Sequence, residues 1–290
     1  MKILGTGLSG MVGSRIVELL KDQYEFENLS ISSGFDITQK KIIEDKIIFS
    51  DSPIVLHLAS KADVDGCEND KEQGSNGEAW KINVDGTQNI ADACKKSGKK
   101  LIYFSTDFVF NGEKEDGYNE EDTPDPINWY AKTKYEGEKL LMGMNQSLIL
   151  RIAFPYRTRF DRKTDFVRAV LNKLKQNVPI YAVYDQIITP TFIDDIVQAL
   201  DFIIKNKISG KYHLVGSQSI SPYESALLIA NVLNLDKSLI NKITREEYFK
   251  NKAKRPFHLR IKNDKIGKLG IKMKTFEEGL IEIKKQLENL

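Results

Sequence analysis

The chain has 290 residues, with 43 Lys and Arg against 41 Asp and Glu, a formal net charge of +2. That length suits one large domain or two ordinary ones, and that balance argues against a dedicated nucleic-acid binder, which needs a concentrated basic surface to displace counterions. A hydrophobic share of 41% with 29% charged residues fits a soluble globular protein, and no apolar run approaches the ~20 residues of a membrane span.

The sequence opens on Met1-Lys2-Ile3-Leu4-Gly5, which turns glycine-rich at once, so no signal peptide is expected. Lys2-Ile3-Leu4 reads as a brief strand, followed by a glycine-rich turn and a helix over 11–20. A second strand is predicted over Asn28-Leu29-Ser30-Ile31. Ile54 to Ala59 is continuously apolar apart from His57, as a strand buried on both faces should be. Trp80 to Cys94 reads as a helix stopped by Gly98, and 100–105 and 148–152 read as further buried strands. Strand–helix alternation of this kind predicts an α/β fold with a doubly wound parallel sheet. The second half is expected to hold helices over 163–176, 194–206 and 275–287, with a short strand over 178–183. Ser221-Pro222-Tyr223-Glu224 carries a capping-box signal for one more helix, continued by Leu227 to Leu235. There is no internal repeat, and the 34 lysines are scattered as on a solvated surface.

Cys67 and Cys94 lack CxxC spacing, which excludes a disulfide scaffold and a cysteine zinc site. The three histidines, His57, His213 and His258, are too dispersed for a histidine metal site. The expectation is a cytoplasmic enzyme without a metal, a membrane contact or a nucleic-acid partner.

Gly7, Gly10 and Gly13 form GxxGxxG between the first strand and the first helix. Glycine is needed where the chain turns tightly, where backbone N–H groups approach a pyrophosphate, and where helix packs on strand. Its context makes dinucleotide binding the reading, with Gly7, Ser9, Gly10, Met11 and Val12 at the phosphates. At the end of the second strand Ser32 stands where an acid would grip the adenine ribose, so NADPH is allowed beside NADH. Asp36 and Ile37 either flank the adenine or form an ordinary loop.

Tyr130 and Lys134 are four residues apart, on one face of a helix. An ammonium beside a tyrosine stabilises the phenolate, so Tyr130 could exchange a proton with a carbonyl oxygen as hydride reaches the carbon. Ser105-Thr106-Asp107 ends the strand over 100–105, where open α/β sheets place ligands. A Thr106 hydroxyl there could bond the same oxygen.

These residues carry a resemblance to the extended short-chain dehydrogenases/reductases, and within them to the dTDP-4-dehydrorhamnose reductase family. The similarity covers nearly the whole chain. It runs through Gly7 to Gly13, Ala59 to Glu68, Asn83-Val84-Asp85-Gly86-Thr87, and Ser105-Thr106-Asp107-Phe108-Val109-Phe110. It continues in Tyr130 to Glu138, Thr189 to Asp195, Arg255-Pro256, and Asn263-Asp264-Lys265-Ile266 with Leu269-Gly270-Ile271. The resemblance implies reduction of a 4-keto group on a nucleotide-diphosphate 6-deoxy sugar by NADPH or NADH. It gives Tyr130 the proton, Lys134 the phenol and the nicotinamide ribose, and Thr106 the 4-keto oxygen. Thr106 and Asp107 would touch the sugar, while Ala59, Ser60 and Lys61 would line the cofactor. Asn83 would either support the helix beside the site or be a plain polar helix residue.

The chain departs from that pattern at Ala62, where the family often has threonine, at Phe154, where a tryptophan usually packs on the sugar, and in a long polar stretch over 69–77. Phe154 is the sugar-side candidate. Arg255 is either a diphosphate contact or a surface arginine. The expected division is an NAD(P)-binding Rossmann domain over 1–153 and 186–210, with a substrate lobe over 154–185 and 211–290. The resemblance also allows a homodimer. Two other readings stand beside the reductase. A nucleotide-sugar epimerase or dehydratase shares the fold, although dehydratases carry Asp-Glu where this chain has Asp107-Phe108. A non-catalytic NADP-binding subunit like that of methionine adenosyltransferase is the third.

Overall fold

In the computed structural model, which describes residues 1–289, the first 57 residues already lay down half of a parallel sheet. Strand β1 (Lys2–Thr6) is followed by helix α1 (Met11–Leu20), β2 (Glu25–Leu29), α2 (Lys40–Ile48) and β3 (Ile54–His57). Helix α3 (Gly86–Ser97), β4 (Lys100–Thr106), α4 (Trp129–Leu141) and β5 (Ser147–Ile152) continue the alternation. The last strand, β6 (Gly210–His213), follows a helix over Ile193–Lys205. The order across the sheet is β2-β1-β3-β4-β5-β6. Pairing is parallel from β2 through β4, with Thr6 opposite His57 and His57 opposite Tyr103. The chain moves outward in opposite directions from β1, so a crevice opens at the carboxyl ends of β1 and β3, the place where such sheets bind ligands.

β1, β3 and β4 are buried almost throughout, which is why they read as continuous apolar runs. One face of the sheet is closed by α2 and α3, where Ile43, Ile47, Ile90 and Cys94 pack against Leu4, Val55 and Leu101. Each such aliphatic side chain contributes about 1.5–3 kcal/mol when fully withdrawn from water. β2 lies earlier than expected, at Glu25–Leu29 instead of 28–31. Its outward Glu27 is paired with Lys46 and Lys2, so a charged residue inside a half-exposed edge strand hid it from a search for apolar runs. The residues expected to finish that strand form a short turn over Ile31–Ser33, with Ser30 and Ser33 bonding reciprocally.

The chain forms two compact units, one of residues 1–109, 124–151 and 200–212, the other of 110–123, 152–199 and 213–290. The expected division differs from this in placing 186–199 with the sheet and in not separating 110–123. In the second unit, Tyr156, Phe166, Phe192 and Phe276 pack with Ile229 and Leu280. Phe166 and Phe276 stack at 5.8 Å, and Tyr156 meets Phe276 edge-on at 5.3 Å. Two helices here begin with reciprocal caps, Ser221 with Glu224 and Thr275 with Glu278. Among the described residues, no helix is long and apolar enough to cross a membrane, and no group of His, Cys, Asp and Glu is placed to hold a metal.

Candidate active site

The loop from β1 to α1 is shaped by what glycine permits. Gly7 has φ +71°, and a Cβ on it would stand 2.6 Å from the Ala59 nitrogen, so the loop lies directly on the chain leaving β3. A Cβ on Gly13 would meet the Gly7 carbonyl oxygen at 2.5 Å, which fixes the start of α1 against the turn. Gly10 caps α1, and neither a side-chain cap nor an acidic residue occupies the first turn. A Cβ on Gly10 would fill that opening, 3.1 Å from the Gly7 oxygen. The positive end of a ten-residue helix, bare of side-chain oxygen, fits a dinucleotide pyrophosphate. Ser9 and Gly10 are exposed there, Met11 is half-buried and Val12 is buried beneath.

On the adenine side, Asn28 Oδ1 accepts the Leu8 N–H at 3.2 Å and ties β2 to the loop. Ser32 is exposed, its hydroxyl 3.0 Å from that of Ser30. Asp36 accepts from the Thr38 N–H and hydroxyl at 2.9 and 2.8 Å. Ile37 is buried, and its carbonyl accepts from Asn89 at 2.9 Å.

Past β3, Ala59, Ser60 and Lys61 are half-buried. Thr6 Oγ1 accepts the Ala59 N–H at 3.3 Å. Asn83 holds Lys61 by both backbone groups, accepting its N–H at 2.8 Å and donating to its carbonyl at 3.0 Å, and donates to Thr133 at 2.9 Å. Asn83 lies in a wide π turn over Lys81–Asp85 that leads into α3, a helix irregularity common at functional sites. The Lys61 ammonium reaches Asp70 at 3.1 Å and Glu78 at 2.6 Å, and the Glu78 contact first among the causes holds it above the usual lysine range. The long polar stretch over 69–77 thus supplies a partner for Lys61.

The candidate proton-transfer group stands where β4 ends and α4 begins. Asn128 caps α4 through the Ala131 N–H at 2.9 Å, which sets Tyr130 in its first turn. The Tyr130 ring meets Phe108 edge-on at 6.2 Å, and its hydroxyl lies on the Thr106 side. Thr106 Oγ1 donates to Asp107 Oδ1 at 3.0 Å and accepts the Phe108 N–H at 3.2 Å. Burial pushes the Asp107 carboxyl up to about 7, against the Thr106 hydrogen bond, and its second oxygen has no partner. Burial also holds the Tyr130 phenol above its ordinary value, with the Thr106 bond pulling down and the Asp107 charge pushing up. The buried Ser105 hydroxyl, like Asp107 Oδ2, lacks a partner, and unsatisfied polar atoms at a strand end suit a site that awaits ligands.

Lys134 is buried, and burial pushes it down to about 7, opposed by the Glu138 carboxylate. Its ammonium donates to the Phe104 carbonyl at 2.8 Å and sits 4.1 Å from the centre of the Tyr103 ring. The expected lowering of the phenol by Lys134 is therefore absent from this arrangement, because the ammonium is committed to β4. A protonated phenol is the state a proton donor requires.

Two candidates lie in the second unit. Phe154 has φ +39° immediately before Pro155, a left-handed backbone that a bulky residue rarely adopts, and its ring meets Phe166 at 6.3 Å. Arg255 donates to the Ala253 carbonyl at 2.6 Å and covers the Phe249 ring at 5.0 Å. Sequence reasoning did not find Tyr103, His57, Glu138 or Arg151 as neighbours of this site. Glu138, four residues after Lys134, was the available signal.

The sheet order, the bare helix end behind the glycine loop and the Thr106–Tyr130–Lys134 grouping define a Rossmann-like fold of the extended short-chain dehydrogenase/reductase class. The chain matches the family described as RmlD substrate binding domain over residues 1–289, and it belongs to that family. A dTDP-4-dehydrorhamnose reductase of Aggregatibacter actinomycetemcomitans is 31% identical over 302 aligned positions, covering 99% of each chain. The methionine adenosyltransferase 2 subunit beta of Pongo abelii is 27% identical, covering 97% of this chain and 86% of that one. Among solved structures, a dTDP-4-dehydrorhamnose reductase of Bacillus anthracis in complex with NADP superposes with a TM-score of 0.89 at 28% identity, covering 98% and 99%.

Proposed function

We propose that the protein reduces the 4-keto group of a dTDP-linked 4-keto-6-deoxy sugar with NADPH, converting dTDP-4-dehydrorhamnose to dTDP-L-rhamnose. The observation that carries this reading is the placing of Thr106 beside the buried, protonated Tyr130 at the carboxyl end of β4. The named relatives and the NADP complex of the Bacillus anthracis enzyme support the substrate class and the cofactor.

In this reading Gly7, Ser9, Gly10, Met11 and Val12 hold the pyrophosphate, and Ser32, Asp36 and Ile37 border the adenosine. Ala59, Ser60 and Lys61 border the nicotinamide end. Bound nicotinamide supplies the hydride for C4. Tyr130 donates its phenolic proton to the oxygen that becomes the C4 hydroxyl. Thr106 aligns that oxygen with the phenol, and Asp107 fixes the Thr106 rotamer through their 3.0 Å bond. Lys134, its ammonium held at the end of β4 by the Phe104 carbonyl, binds the nicotinamide ribose. Within the second unit, Phe154 is the candidate for the sugar and Arg255 the candidate for the diphosphate.

The test is NADPH consumption with dTDP-4-dehydro-L-rhamnose, comparing wild type with Tyr130→Phe. The wild type should oxidise cofactor and the variant should lose 10²–10⁴-fold in rate, the order expected of a general acid. Absence of turnover in the wild type sinks the proposal. The likeness to methionine adenosyltransferase 2 subunit beta supports a second reading, a cofactor-binding subunit without turnover. Tight NADPH binding combined with no oxidation of cofactor by any 4-keto sugar nucleotide would select it.

A further inference from the structure

Thr6, His57 and Tyr103 lie opposite one another on adjacent parallel strands, one register position deep across β1, β3 and β4. All three are buried. His57 Nδ1 pairs with Thr6 Oγ1 at 2.7 Å and Nε2 with Thr87 Oγ1 at 2.9 Å, while Thr87 donates to the Asn83 carbonyl at 2.7 Å. The His57 ring lies against Tyr103 at 5.5 Å. Tyr103 in turn grips Lys134 at two points, its hydroxyl donating to the Lys134 carbonyl at 3.2 Å and its ring face taking the ammonium at 4.1 Å. Gly137 makes the grip possible, because a Cβ there would stand 2.5 Å from the Tyr103 hydroxyl oxygen.

An ammonium withdrawn from water needs compensation, and the nearest carboxylate, Glu138, offsets burial only through its charge, without a bond to Lys134. Glu138 is spent on Arg151, which binds both of its oxygens at 2.8 and 2.6 Å. In direct contact with the Lys134 ammonium are one backbone carbonyl and one aromatic face, and a desolvated cation gains most from such a face. We propose that Tyr103 is a positioning residue whose ring face holds the Lys134 ammonium charged and aimed at the end of β4. For its catalytic consequence this rests on the reductase reading; for its geometry it does not.

The titratable and charged groups around this ammonium are few. Tyr130 and Glu138 share its helix, His57 comes from β3, Tyr103 from β4 and Asp107 from the turn after it. Cys67, from the short helix Val64–Glu68, faces Tyr130, and Glu68 of that helix accepts the Trp129 N–H at 2.8 Å. His57 is held neutral by burial, so it adds no second positive charge beside Lys134. Among the described residues, Tyr103 is the aromatic ring whose face meets this ammonium.

The experiment follows the Lys134 titration by NMR in the full chain carrying ¹³Cε-lysine, with the resonance assigned by its loss in Lys134→Met. Tyr103 is replaced by Phe and then by mono-, di- and trifluorophenylalanine, which keep the ring's shape while draining its face of negative charge. Tyr103→Phe should leave the midpoint nearly in place, and each added fluorine should lower it, by about one pH unit over the series. With substrate, kcat at pH 8 should fall in the same order while KM stays constant. A merely structural tyrosine would move thermal stability without this graded titration. A midpoint that is flat across the fluorinated set overturns the proposal. If the wild type turns over no substrate, the reductase reading fails, and the NMR series still decides the role of Tyr103.

Discussion

Glu138 and Arg151 meet at two points with neither side chain reaching solvent: Nε and Nη2 of the arginine bind the two carboxylate oxygens at 2.8 and 2.6 Å. The pair joins α4 to β5 inside the first unit. Breaking such a pair from one side leaves a buried charge alone, whereas replacing both members by apolar residues is often neutral. Arg151→Met should therefore cost about 3–5 kcal/mol of stability, and the double variant Glu138→Leu/Arg151→Met should recover most of it. Urea denaturation of the four proteins of that cycle measures the difference.

Thr106 lies against the Tyr130 hydroxyl and donates to Asp107. Thr106→Ser keeps the hydroxyl and should retain most of the activity. Thr106→Val removes it and leaves the Asp107 carboxylate without its remaining side-chain partner. The expected loss in kcat is about 10–100-fold, in line with the 1.5–3 kcal/mol of hydrogen bonds to charged groups. Equal activity in the Ser and Val variants would remove Thr106 from the mechanism.

Gly7 combines positive φ with a close approach to the Ala59 nitrogen. Gly7→Ala should lower NADPH affinity by more than about tenfold, since the loop must move away from its phosphate-binding shape. Gly98→Ala is the control, because Gly98 also has positive φ but nothing within 4 Å. That variant should lose about 1 kcal/mol of stability and no affinity, as read by calorimetric titration.

Two buried groups give stability opposite dependences on pH. Burial pushes His57 down to about 3, so the folded ring stays neutral where the unfolded one charges. Its contribution is complete above the unfolded value of about 6.5 and is lost as pH falls toward 3. Asp107, pushed up to about 7, favours the fold in its protonated form. That contribution is complete below the unfolded value of about 3.9 and is lost as pH rises through 7. Asp107→Asn should therefore gain stability relative to wild type between pH 4 and 8, and His57→Asn should lose the wild type's decline below pH 6.5. Denaturant midpoints across that range check both signs; parallel curves for wild type and Asp107→Asn would refute the Asp107 assignment.

Local signals in the sequence carried the helices well. Ser221 with Glu224 was readable because a cap is settled within four residues, and Thr275 with Glu278 forms the same cap at a helix expected from its apolar face alone. Gly98 stops α3 in the left-handed conformation, as its position suggested. The continuous apolar strands β3 and β4 were equally plain, whereas β2 was displaced because its charged edge face carries no apolar run. The glycine loop and the Tyr130–Lys134 spacing were legible as motifs. The grip of Tyr103 on Lys134 spans 31 residues, the hold of Asn83 on Lys61 spans 22, and the His57–Thr6 bond spans 51. Such contacts depend on sheet register, which no local pattern encodes.

The wide turn over Lys81–Asp85 gives the segment before Gly86 one residue more than an ordinary helical turn would hold. Removing a single residue there would leave an unbroken helix with better backbone geometry. It would also rotate everything on one side by about 100° relative to the other, carrying Asn83 away from Lys61 and Thr133. The segment is thus far less tolerant of deletion than of substitution, and its length acts as a ruler that sets which face of the helix looks at the chain leaving β3.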